Sequence, residues 1–61
     1  MTDMERVFIT RDGMDLSEAK RKRNELRKEM HELLSEGADY DDIEEMLWAE
    51  ELEMDYIFDL M

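Results

Sequence analysis

Sixty-one residues, no cysteine and a net charge of −11 leave room for one small domain, residues 1–61, and rule out a disulfide framework. Charged residues make up 44% of the chain and hydrophobic ones 43%, so no stretch reaches the roughly 20 apolar residues of a membrane span, yet a core can form. A chain this short buries only about 60% of its unfolded surface, so support from a second copy or a larger partner is expected.

The expected fold is mainly α: a short N-terminal β-strand followed by an antiparallel two-helix hairpin. Residues Arg6-Val7-Phe8-Ile9-Thr10 combine β-branched side chains with an aromatic one, which predicts a strand over about 5–10. Asp12-Gly13 then reads as a turn, because both residues tolerate positive φ.

Asp15 and Glu18 stand at the spacing of a capping box, with Met14 and Ala19 as a hydrophobic staple. Ala19, Leu26, Met30, Leu33 and Leu34 recur at helical spacing, and Gly37 supplies a left-handed stop. Helix 1 is therefore expected over about 16–36. Asp39 is a second N-cap, with Asp41 and Asp42 in a first turn that favours negative charge. No proline or further glycine follows, so helix 2 is expected over about 40–60.

Taken as one continuous helix, residues 40–60 carry two apolar stripes. Ile43, Met46, Leu47, Met54, Ile57, Phe58 and Met61 share an arc of roughly 120° at 100° per residue. Trp48, Leu52 and Tyr56 follow at i, i+4 and i+8 on the opposite side. A small monomer needs one such stripe; aligned Trp and Tyr point to an interface.

Charge divides the chain. Residues 1–37 hold all eight bases and nine acids, whereas residues 38–61 hold ten acids and no base. The base cluster Lys20, Arg21, Lys22, Arg23, Arg27 and Lys28 is expected mainly to pair with helix 2. Its other use is contact with phosphates.

The chemistry of known sites is hard to assemble. Asp39, Asp41 and Glu50 copy the ends of a calcium loop, but Ile43 stands at an oxygen-ligand position and Glu44 where the glycine is required. His31 is the sole histidine and Lys28 sits three residues before it, so no Glu-x-x-His ligand pair exists. There is no cysteine nucleophile, and of the hydroxyls other than tyrosine only Ser35 lies near His31. The chain is expected to be a non-enzyme without metal or cofactor. With no cysteine and no signal-peptide-length apolar stretch in residues 1–6, a cytoplasmic setting is expected.

What remains is binding. Trp48, Leu52 and Tyr56, ringed by Glu44, Glu45, Glu51, Asp55 and Asp59, form the expected partner-binding surface. Such a surface complements a basic groove built for nucleic acid. In size, charge and helicity the chain is similar to small acidic inhibitors encoded by phages and mobile elements, anti-CRISPR proteins and DNA mimics among them. That likeness implies a larger basic protein, such as a defence or CRISPR nuclease, as partner. One alternative is a dimeric nucleic-acid-binding regulator. The order strand-helix-helix is that of the ribbon-helix-helix family, with Arg6, Phe8 and Thr10 as outward strand positions. A four-helix-bundle RNA binder formed by two hairpins is the second version, using Arg6, Lys20, Arg21, Lys22, Arg23, Arg27 and Lys28. A structural, assembly or antitoxin-type subunit is the third function.

Overall fold

A computed structural model describes residues 1–61 as four helices with no strand. They are α1 (Asp3–Asp12), α2 (Leu16–Ser35), α3 (Tyr40–Ala49) and a C-terminal 3-10 helix (Met54–Asp59). None is long and apolar enough to cross a membrane.

The expected strand over 5–10 is corrected to helix α1. Its start is a reciprocal capping box. The Thr2 hydroxyl accepts from the Glu5 N–H at 3.2 Å, and Glu5 Oε1 accepts from the Thr2 N–H at 2.7 Å. Met4 and Phe8, at i and i+4, are both fully buried, a spacing that one face of a helix satisfies. Asp12-Gly13 does turn the chain into the next helix, but it ends a helix rather than a strand, with Gly13 at φ 71° and the Met14 N–H donating to the Phe8 carbonyl at 3.1 Å. Strand propensity is weak beside a cap and a continuous buried face.

Helix α2 follows its expected course to within a residue. The Asp15 carboxylate accepts from the Glu18 N–H at 2.8 Å, and Met14 and Ala19 both join the core. At the far end Gly37 takes φ 92°, the Ala38 N–H donates to Leu33 (2.9 Å), and the Gly37 N–H donates to Leu34 (3.2 Å). That pair of bonds is a Schellman cap. Asp39 then caps α3, accepting from the N–H groups of Asp41 (3.1 Å) and Asp42 (3.3 Å).

The expected second helix over 40–60 is also corrected, because α3 stops at Ala49. The Leu52 N–H donates to Leu47 (2.9 Å) and the Glu51 N–H to Trp48 (2.8 Å). Glu51 supplies the left-handed residue at φ 57°, a place glycine usually fills. The reversal has a tertiary cause. It brings the 3-10 helix back against α1, and Leu52, Ile57 and Leu60 share one buried core with Met4 and Phe8. A straight helix over 40–60 would leave that face of α1 in water, at a cost of about 1.5–3 kcal/mol for each large side chain exposed.

Eleven apolar residues from all four helices and the Glu51 turn form one core, with Phe8, Met4, Ile43, Leu47 and Leu60 fully enclosed. Helices α1 and α3 both run antiparallel to α2, and α1 also packs against the 3-10 helix. The 20-residue α2, about 30 Å long at 1.5 Å per residue, sets the longest dimension of the 33 × 18 × 16 Å molecule. The single chain exposes 4250 Å², the surface of a compactly folded chain of this mass, about 4,200 Å².

Candidate partner-binding surface

The Trp48–Leu52–Tyr56 stripe does not exist as a surface, because the helix that would align it ends after Ala49. Trp48 is 59% exposed on α3, Leu52 is 3% exposed in the core, and Tyr56 is half-buried against that core. The acids around them separate too. Glu44 (half-buried) and Glu45 (exposed) remain on α3, Glu51 is the exposed turn residue, and Asp55 and Asp59 belong to the 3-10 helix.

Two surfaces replace the stripe. On α3, Tyr40 (63% exposed), Glu44 and Trp48 follow at i, i+4 and i+8 along one flank. Asp41 and Glu45 lie beside them at the neighbouring helical positions. None of these three acids has a cation within ion-pair distance, since the chain's ion pairs are Arg11–Asp12, Lys22–Glu50 and Arg23–Glu5. The ridge is therefore aromatic at both ends and negative between. Tyr40 stands at the same spacing before Trp48 in the sequence, but periodicity alone makes it only the first residue of a helix, without a role.

The second surface is a shallow cleft of about 450 Å³ between α1 and the 3-10 helix. Val7, Tyr56 and Phe58 line it with Asp3, Glu53, Asp55 and Asp59, and Arg6 is its one base. Phe58, placed by periodicity in the core arc, is instead 74% exposed here. Asp59 also serves the fold. Its Oδ2 accepts from the Met4 N–H at 3.0 Å, satisfying a free donor in the first turn of α1.

The bases divide by use. The Arg23 Nε donates to Glu5 Oε2 at 3.3 Å, and its Nη1 donates to the Asp59 carbonyl at 3.1 Å. Lys22 Nζ lies 2.9 Å from Glu50 Oε1. Both therefore hold the fold together. Arg6, Lys20, Arg21, Arg27 and Lys28 are exposed and make no ion pair within the chain. The expected pairing of the cluster with the acidic second half is thus corrected to one ion pair, Lys22–Glu50; Arg23 pairs with Glu5 of α1 and reaches the second half only at the Asp59 backbone carbonyl. The ribbon-helix-helix alternative falls with the strand, since Phe8, one of its outward positions, is fully enclosed.

Glu5 is the one buried charged residue. The Thr2 N–H bond holds its carboxyl below the ordinary value of 4.5; burial opposes this, and Arg23 adds to it. No group of three or more acids or histidines is gathered to hold a metal ion. Asp39, the first acid of the calcium-loop outline, is engaged as a helix cap.

Compared with known proteins, the chain matches no family model, no curated protein and no solved structure.

Proposed function

We propose that this chain is a small acidic protein-binding inhibitor or adaptor that presents the outer ridge of α3 to a basic surface of a larger protein. The observation that supports it is the Tyr40–Glu44–Trp48 ridge, two exposed aromatics bracketing carboxylates with no internal counter-charge. Exposed Trp and Tyr are the side chains that most often anchor a protein interface, and unpaired acids steer a basic partner towards them. A groove built to hold nucleic acid, such as that of a defence or CRISPR nuclease met by a phage or mobile element, has the matching charge. The cleft at Tyr56 and Phe58 extends the same chemistry to a second place on the molecule.

The test is capture of proteins from a lysate of the source cell on immobilised wild type and on a Trp48→Ala, Glu44→Gln, Glu45→Gln variant. A basic protein held by the wild type, released by salt and not held by the variant is expected. Adding the chain should then displace nucleic acid from that protein. Equal retention by both forms overturns the reading.

A further inference from the structure

Helix α2 sorts its side chains into three sectors. At 100° per residue, Ala19, Leu26 and Met30 point to one side and are buried. The acids Glu18, Glu25, Glu29 and Glu32 fall within a second sector of roughly 60°. Lys20, Arg21, Asn24, Arg27, Lys28 and His31 fall within a third, roughly 120° wide, that contains no acid and no apolar residue. All six are exposed, and none makes a side-chain hydrogen bond or ion pair within the chain. Acids border the sector on one side: Arg21 has Glu18 and Glu25 at i−3 and i+4, and Lys28 has Glu25 and Glu32 at the same spacings, yet none of these acids is within ion-pair distance of a sector cation, and Lys20 and Arg27 have no acid one turn away.

We infer that this sector of α2 is a binding site for the phosphate backbone of a nucleic acid. Four cations run along about 12 Å of helix, from Lys20 to Lys28, at 1.5 Å per residue. Asn24 and His31 add hydrogen-bonding groups between and beyond them. The make-up of the sector distinguishes its occupant. A protein interface needs apolar anchors at its centre, and there are none here. A membrane-surface helix must insert an apolar face, and that of α2 is enclosed in the core. A phosphate chain needs neither, because its binding comes from releasing condensed counterions. The site is separate from the α3 ridge, so the fate of one reading does not decide the other.

The experiment is fluorescence anisotropy of a labelled single-stranded RNA about 12 nucleotides long, with a polyglutamate peptide as the acidic-protein probe. Four phosphate contacts give a salt slope of about −2.8, so affinity should fall more than a hundredfold between about 20 and 150 mM salt. A Lys20→Gln, Arg21→Gln, Arg27→Gln, Lys28→Gln variant should lose at least tenfold at the lower salt, with its far-UV circular dichroism unchanged. Arg27→Gln and Lys28→Gln alone should each reduce the slope by about 0.7, which decides the matter should the fourfold variant fail to fold. Arg6→Gln, a base off this sector, should change nothing. No RNA binding by the wild type, an unaltered slope in the single variants, or tighter binding of polyglutamate than of RNA would overturn the assignment.

Discussion

Arg11, in the last turn of α1, closes the end of α3: its Nη1 donates to the Glu51 carbonyl at 2.9 Å and its Nη2 to the Glu50 carbonyl at 3.0 Å. The same guanidinium is forked on Asp12, from Nε to Oδ1 and from Nη2 to Oδ2, each at 2.9 Å, and this holds the Asp12 carboxyl below its usual range. One planar group thus joins the ends of two helices that are 39 residues apart in sequence. The last carbonyls of α3 have no intrahelical donors, and a cation suits that end of the dipole.

Replacing Arg11 by Ala should therefore destabilise the fold by about 1–2 kcal/mol, the scale of losing charged hydrogen bonds to two carbonyls that remain partly solvated. Arg11→Lys should recover less than half of the loss, because an ammonium cannot reproduce the fork. Urea unfolding of the three forms measures both. A lysine variant as stable as wild type would show that charge alone is at work.

Glu51 holds φ 57°, where its Cβ is strained, and no other non-glycine residue of the chain has a positive φ. Glu51→Gly should raise stability by about 0.5–1 kcal/mol, the αL penalty less the entropy glycine adds to the unfolded chain. For a domain of this size that is a rise of about 3–6 °C in melting temperature. Glu51→Ala keeps the Cβ and should gain nothing. The pair of melting curves separates backbone strain from the removal of one acid.

Glu5 gives the fold a pH dependence with a definite sign. Its folded pKa lies below the ordinary 4.5, so its contribution is present above that value and is lost as pH falls through the lowered folded pKa. Glu5→Gln keeps an acceptor for the Thr2 N–H but removes the charge facing Arg23. The variant should be less stable than wild type by about 1 kcal/mol at neutral pH, with the gap closing as pH falls below 4.5. Chemical unfolding at several pH values from neutral downward reads the gap directly. A gap that persists in acid would place the loss in packing rather than charge.

Trp48 and Leu52 should separate sharply on truncation. Leu52 sits in the core beside the α3 terminus, and Leu52→Ala should cost about 2–4 kcal/mol. Trp48 is 59% exposed, and Trp48→Ala should cost under about 0.5 kcal/mol. Similar losses at both positions would mean that they share a face after all. Because Trp48 is the only tryptophan, its fluorescence also reports any partner that covers α3 without changing the fold.

What the chain determined by itself is local. Asp15, Gly37 and Asp39 specify where α2 begins, where it ends and where α3 starts, because each acts through hydrogen bonds to residues two to five places away. The acidic second half and the absence of cysteine are likewise plain from the residues. The start of α1 is also present, as Thr2 and Glu5 three apart, but the β-branched and aromatic run over Val7-Phe8-Ile9-Thr10 outweighs it on propensity alone. Asp12-Gly13 suits a hairpin turn and a helix stop equally well.

Only tertiary structure decided the rest. Nothing local favours stopping a helix at Ala49, since Glu51 is a poor left-handed residue; the turn goes with the burial of Leu52, Ile57 and Leu60 in the core that holds Met4 and Phe8 from the other end of the chain. That single reversal buried Leu52, exposed Phe58 and dissolved the aromatic stripe into a ridge and a cleft. It also assigned the bases, placing Arg23 against Glu5 and Asp59 while leaving Lys20, Arg21, Arg27 and Lys28 in water. Burial of apolar surface is non-directional and summed over the whole molecule, so it can override any one residue's preference. Local hydrogen bonds set the ends of α1 and α2 and the start of α3; the shared core set where α3 stops and which side chains face outward.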